Sequence, residues 1–250
     1  MKCLAALRHW AVAVLCWAPL SAQAGPDLNL GALYSYLPAE RSSLAQQVEN
    51  FGEHTAFVQL ELAEMAFGAD GQLAELPLPA QGLQRALLGT PAQFIIPAKG
   101  FHSVRLIFRG ARDRERYFRV RYVPVLPGAG SGFTLAEDEV ARYQEALGAG
   151  VQVLKGIGAV LIVRPRETHY LTQIEPSAQG LTLRNAGNAT VLLDNLRQCG
   201  DPAQPCALGQ KLHLRPGQAH TLLPGNGQHY RFNLVEGEKV RGMRYPEEGA

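Results

Sequence analysis

The sequence has few cysteines, almost no net charge and few long apolar runs. Four of its 250 residues are cysteines, and the Lys+Arg count exceeds the Asp+Glu count by only two. One apolar run, residues 9–18, lies near the N-terminus and is too short to span a bilayer. No later run approaches transmembrane length, so stable membrane insertion is not expected.

Residues 1–24 have the pattern of a secretory signal peptide. Lys2 and Arg8 give a positive start, the apolar run follows, and Ala22-Gln23-Ala24 is a small-x-small cleavage site. A membrane anchor is the alternative, but anchors usually lack such a site. A lipoprotein attached at Cys16 fits less well, because that cysteine comes too early. We therefore expect an exported, periplasmic protein.

Export would remove the charge imbalance. Without Lys2 and Arg8, 22 basic residues face 22 acidic ones, so the mature chain has no formal net charge. This balance argues against a protein that binds nucleic acid or anionic membranes over its whole surface. A local basic surface remains compatible with it.

Two cysteines, Cys199 and Cys206, remain in the mature chain within the segment CGDPAQPC. A cysteine pair in an exported protein predicts a disulfide. The loop that it closes is short, so its expected stabilisation is about 2.5 kcal/mol. A zinc site is not expected, because no His, Asp or Glu ligands at metal spacing lie beside the pair.

Motifs of catalysis are also lacking. Gly128-Ala129-Gly130-Ser131-Gly132 resembles a nucleophile elbow, but its serine stands one place too late. There is no phosphate-binding glycine loop and no paired-histidine zinc motif. The histidines are scattered along the chain. We therefore expect neither an enzyme nor a cofactor or metal.

The chain does contain many short apolar runs, which are separated by Gly, Pro and Asn. Regular short runs with turn signals predict an all-β sandwich or barrel. Pro165 ends a long apolar run, which predicts domains at residues 25–164 and 165–250. Residues 68–89 are predicted to form a loop with a short helix. Residues 126–150 form an insertion that is long for a hairpin.

The segment 117–123 alternates with a period of two. Arg119 and Arg121 share one face with Tyr117 and Val123, whereas the intervening side chains are apolar. A sandwich strand with a solvated arginine face is one interpretation. A cationic strip beside a binding edge is the other. Upstream, the alternating charges of residues 112–116 suggest a charged turn.

The segment 151–163 is the longest strand-like run. Val151, Val153 and Ile157 share a face that Lys155 interrupts. The run is either a fully buried strand or an edge strand that offers its apolar side chains to a partner.

Several motifs resemble the periplasmic chaperones of the chaperone–usher pilus pathway, above all the alternate chaperones of colonisation-factor-type fimbriae. The resemblance covers essentially the whole mature chain. In sequence order the motifs are Val48-Glu49-Asn50, Phe94 to Gly100 with Val104-Arg105-Leu106, Tyr117 to Val120, Val160 to Pro165, Leu183 to Asn188, the cysteine pair, and Leu214-Arg215-Pro216-Gly217.

This resemblance implies two immunoglobulin-like β-sandwich domains with a cleft between them. It implies a chaperone that donates an edge strand to pilin subunits and delivers them to an outer-membrane usher. Val151, Val153 and Ile157 would be the donor side chains. The alternative is a secreted β-sandwich pilin, adhesin or structural surface protein.

The resemblance has one departure. Most members hold the subunit's terminal carboxylate with an Arg on the first strand and a Lys on the last strand of the first domain. Those positions align with Tyr34 and Val160 here. The candidate replacements are Lys155, Arg119 and Arg121.

Overall fold

The computed structural model describes residues 25–68, 71–79, 85–128, 130–147, 154–177, 180–200 and 205–246. In chain order these residues form β1 (Leu28–Asn29), β2 (Tyr34–Leu37), β3 (Ser43–Asn50), β4 (Ala56–Phe67), β5 (Leu73–Pro77), β6 (Leu87–Thr90), β7 (Gln93–Ile96), β8 (Phe101–Phe108), β9 (Arg116–Val125), α1 (Glu137–Ala146), β10 (Ile157–Val163), β11 (Thr172–Pro176), β12 (Leu181–Asn185), β13 (Val191–Cys199), β14 (Gln210–Leu214), β15 (Ala219–Leu222), β16 (His229–Glu236) and β17 (Lys239–Tyr245).

The N-terminal sandwich packs two sheets face to face. One sheet has the strand order β1-β3-β8-β6. The other has the order β2-β10-β9-β4-β5, with β7 also paired to β4. Alternate residues of β9, namely Phe118, Val120 and Tyr122, are fully buried in the core. Arg119 and Arg121 point to the opposite face, as the period of two predicts.

The C-terminal sandwich packs the sheet β11-β12-β15 against the sheet β14-β13-β16-β17. Its core contains Leu183, Leu193 and Leu234, which are completely buried. Cys199, at the end of β13, forms the predicted disulfide with Cys206. The prediction of an all-β protein with two immunoglobulin-like sandwiches is confirmed. The boundary at residues 164 and 165 stays a prediction.

The predicted loop at residues 68–89 is wrong in its described part, because two strands lie there. Gly71 adopts a positive φ of 80°, and its N–H donates to the carbonyl of Gly68. The chain therefore turns back, and β5 pairs with the end of β4. The exposed β5 buries no face of its own, so its sequence lacks the alternation that identifies a strand.

The insertion at residues 126–150 contains the helix α1. At its N-terminus the Glu139 carboxylate accepts the backbone N–H of Ala136, which satisfies one free donor of the first turn. The hydroxyl of Tyr143 donates to the carbonyl of Thr55, and its ring meets Phe57 edge-on. These contacts dock the helix on the end of the N-terminal sandwich. No helix in the described part of the chain is long and apolar enough to cross a membrane.

Candidate functional site

The first candidate feature is an open edge at the start of β10. This strand pairs with β9 along its whole length. On its other side, the parallel strand β2 reaches only as far as Val160, whose N–H donates to the carbonyl of Leu33. Residues 157–159 therefore have no second strand partner within the described ranges. Val160 N–H faces β2, so by alternation the backbone groups of Gly158 also face away from β9, and an edge of this kind can pair with a strand from another chain.

The side chains of β10 alternate between two apolar surfaces. Ala159, Leu161 and Val163 are buried in the sandwich core, and Ile157 packs partly buried against the same core. Val160 and Ile162 lie on the opposite face with Met65. The described strand is thus shorter than the predicted 151–163 run, since it starts at Ile157.

Only one of the three predicted donor side chains can be located. Ile157 begins the open edge, whereas Val151 and Val153 lie outside the described residues. Lys155 is exposed two residues before the strand.

The second candidate feature is a pair of arginines beside this edge. The Glu75 carboxylate accepts from Arg119 Nε at 3.2 Å and from Arg121 Nη2 at 2.5 Å. The two guanidinium groups, Arg121 above all, hold the pKa of Glu75 below its usual range. The two cations share this one carboxylate, and Glu61 stands directly opposite Arg121 in the β-ladder.

The stems of the two arginines lie against the edge at Gly158. A Cβ at Gly158 would lie 3.7 Å from Arg119 Cδ and 3.8 Å from Arg121 Cγ. The arginine stems therefore cover the backbone of β10 where its other side is open. Arg119 is also directly opposite Val160 in the β-ladder, and Val160 is opposite Tyr34. Arg119 is thus one strand away from the position aligned with the usual anchor lysine.

The third feature is a cleft between the two sandwiches, with a volume of about 1000 Å³. The six-stranded sheet lines it with an apolar surface that includes Met65, Phe67 and Tyr117. From the C-terminal sandwich, the Arg215 guanidinium carbon lies 3.2 Å from the Phe67 ring centroid.

A buried ion pair connects the two sandwiches at their interface. Arg164 Nη1 donates to Glu115 Oε1 at 3.1 Å and to the carbonyl of Thr190 at 2.9 Å. The Thr190 N–H donates in turn to the Glu115 carboxylate. Burial raises the pKa of Glu115, and Arg164 with the Thr190 N–H opposes that shift. The chain bends at residues 113 and 114, within the predicted charged turn, and Glu115 beside the bend is only 8% exposed.

His213 forms a second interdomain contact. Its Nδ1 lies 2.7 Å from the Tyr36 hydroxyl, and its ring stacks on Tyr34 with a 3.8 Å centroid separation. Burial, reinforced by Lys211 and Arg164, lowers the pKa of His213 to about 4. The sequence analysis did not identify this residue, because the histidines are scattered and nothing in the spacing brings β14 to β2.

We expect His213 to make stability depend on pH. Its pKa falls from an ordinary 6.5 in the unfolded chain to about 4 in the folded one. The stabilisation is therefore complete above pH 6.5, declines as the pH falls towards 4 and is lost below it. Allowing for partial solvent screening, the loss is about 2 kcal/mol.

The check is urea unfolding of the wild type and His213→Gln at neutral pH and at pH 4.5. Glutamine keeps an acceptor for Tyr36 but does not titrate, so its stability should fall less on acidification. Equal losses in the two proteins would contradict the assignment.

Comparisons with known proteins agree with this geometry. No family model matches the chain. The chain is similar to the probable fimbrial chaperone EcpB of Escherichia coli O157:H7, with 26% identity over 216 residues, which is 85% of this chain and 89% of the relative.

Solved structures share the architecture. The class 5 fimbriae chaperone CfaA aligns with a TM-score of 0.55 and 17% identity over 87% of this chain and 97% of its own. A chain of the Salmonella enterica SafA pilin–SafB chaperone complex aligns with a TM-score of 0.51 and 17% identity, over 88% of this chain and 95% of its own. The resemblance to pilus-assembly chaperones that the sequence motifs predicted is confirmed.

Proposed function

We propose that this chain is a periplasmic pilus-assembly chaperone that binds pilin subunits by donating the open edge of β10. The observation that carries the proposal is the edge at residues 157–159, which has β9 on one side and no strand on the other in the described structure. It lies in a two-sandwich fold shared with solved chaperones of fimbriae. The chain acts by supplying structure, without a cofactor and without catalysis.

The donated strand acts through its backbone and its side chains together. Main-chain hydrogen bonds would extend a subunit's incomplete sheet, and Val151 and Val153 would enter its apolar groove. Ile157, which packs against the core of the N-terminal sandwich, would mark the end of the donated segment. Each buried aliphatic side chain contributes roughly 1.5–3 kcal/mol. Association and ordering cost several kcal/mol, so the ladder and an ionic contact are needed as well.

Arg119 is our first candidate for that ionic contact. It lies opposite Val160 and beside the open edge, and it shares the Glu75 carboxylate with Arg121. A subunit carboxylate could therefore add to this cluster or displace Glu75. Lys155, exposed before the strand, is the alternative anchor.

Export through the signal peptide at residues 1–24 would bring the chain to the periplasm. There, the subunit would later exchange the borrowed strand for a neighbour's strand at an outer-membrane usher. The rival interpretation, a secreted pilin or adhesin, is not favoured, because the similar proteins are chaperones and two of their solved structures hold subunits.

The experiment that tests the function is co-expression of the chain with a pilin subunit, followed by purification through a tag on the chain. We expect the wild type to retain the subunit. Arg119→Gln should weaken retention about tenfold, since a charge-assisted contact of one to two kcal/mol is lost.

Arg105→Gln is the matched control, because Arg105 is an exposed arginine of the other N-terminal sheet. Wild-type protein that never retains a subunit would refute the function. Retention that only Lys155→Gln weakens would move the anchor to Lys155.

A further inference from the structure

The outer face of the C-terminal sandwich carries an arginine row that chaperone function through β10 does not use. Arg197 of β13 is directly opposite Arg231 of β16, and Arg231 is directly opposite Arg244 of β17. Directly opposed side chains in an antiparallel sheet have Cβ atoms about 5 Å apart. Three positive charges therefore stand in one line across three strands, an arrangement that by itself destabilises the sheet.

A β-bulge creates this row. The register of β13 against β16 shifts between Asp194 and Arg197, where Asn195 has a positive φ of 53°. Without the extra residue, Leu196 would stand opposite Arg231 and Arg197 would turn to the other face. Bulges commonly re-aim side chains at functional places. Here the bulge buries Leu196 against the sandwich core and brings the arginines together.

Arg197 and Arg231 have little neutralisation nearby. Within the described ranges, neither Arg197 nor Arg231 has a carboxylate within 4 Å, and the buried Nε of Arg197 has no acceptor. Arg231 Nε donates instead to His229 Nε2 at 3.2 Å. Cys199, opposite His229, fixes the end of β13 through its disulfide.

We infer that this arginine row is a second protein-binding surface, and that it takes an extended acidic polypeptide segment. Planar guanidinium groups bind carboxylates in bidentate pairs. The row is only one residue wide along the strands. The neighbouring outward-facing pair of the same strands is Asp194 and Asn233, and Asp194 pairs with Lys211 at 3.6 Å. A line of carboxylates fits so narrow a strip better than a flat anionic membrane does. The surface lies on the domain that lacks β10, so this inference does not rest on strand donation.

The test uses the full mature chain and a fluorescently labelled octaglutamate peptide, with binding followed by fluorescence anisotropy at low salt. We expect the Arg197→Gln/Arg231→Gln double variant to bind at least about tenfold more weakly than the wild type. Arg184→Gln is the matched control, because Arg184 is an exposed arginine on the other sheet of the same sandwich. It should bind like the wild type.

Two further measurements keep the outcomes distinct. Thermal unfolding of the double variant should show equal or higher stability, because repulsion within the row is relieved, so weaker binding would not come from misfolding. Retention of a pilin subunit should be unchanged. The inference is overturned if the double variant binds octaglutamate like the wild type, or if phosphatidylglycerol vesicles bind through the row while octaglutamate does not.

Discussion

Replacing Glu115 with alanine should cost about 3–5 kcal/mol of unfolding free energy. The change leaves the Arg164 guanidinium buried, with the Thr190 carbonyl as its hydrogen-bond acceptor and without its carboxylate. It also removes the acceptor of the Thr190 N–H. Breaking one side of a buried ion pair is much more costly than replacing both sides, because an uncompensated charge stays behind. Urea unfolding monitored by circular dichroism measures the loss.

The double variant Glu115→Leu/Arg164→Met is the control. It removes both charges and fills the space with apolar side chains, so it should lose less stability than Glu115→Ala, although the Thr190 N–H and carbonyl lose their partners. The pair would then set how the two sandwiches meet, since Glu115 precedes β9, Arg164 follows β10 and their shared partner Thr190 precedes β13. A loss below about 1 kcal/mol for Glu115→Ala would contradict the buried geometry.

The sequence was sufficient to predict a strand and the direction of its side chains where one face of that strand is buried. The segment 117–123 alternates cleanly because Phe118, Val120 and Tyr122 enter the core, and β9 lies there with its arginines outward. The disulfide could be predicted because the signal peptide indicates export and because the mature chain keeps only two cysteines. Both are local signals, readable without knowing which segments meet.

Contacts between segments that are distant in the chain could not be predicted from such local signals. Glu115 looks like any charged residue in a polar stretch, and only the docking of Thr190 and Arg164 around it explains its burial. The same holds for His213, which meets Tyr36 across 177 positions of sequence. The arginine row depends on a one-residue bulge, which shifts register without changing composition.

The place where β10 begins was also beyond the sequence. The apolar run from Val151 favours a strand throughout, but the described strand begins at Ile157. Whether an apolar residue is core or is offered to a partner depends on the neighbouring strand, and β2 covers only Val160 to Val163. Periodicity indicates a face, whereas only the topology indicates an open edge.

The central claim, that this edge completes a partner's sheet, is tested most directly by Val153→Asp. Val153 precedes Ile157, the first residue of β10 that packs against the sandwich core, by four positions, and we predict that it is offered to a subunit, so the variant should fold normally. It should lose subunit capture, because an unpaired carboxylate in an apolar groove costs several kcal/mol. Ile157→Asp should instead destabilise the N-terminal sandwich, because Ile157 packs against its core.

Val240→Asp is the matched control, since Val240 is 61% exposed on the edge strand β17 of the other sandwich. The measurement is co-purification of a pilin subunit with each variant, together with the thermal melt of each free chain. The account predicts that Val153→Asp melts like the wild type and retains no subunit, while Val240→Asp retains it fully. A Val153→Asp chain that stays folded and still captures its subunit at full strength would contradict strand donation.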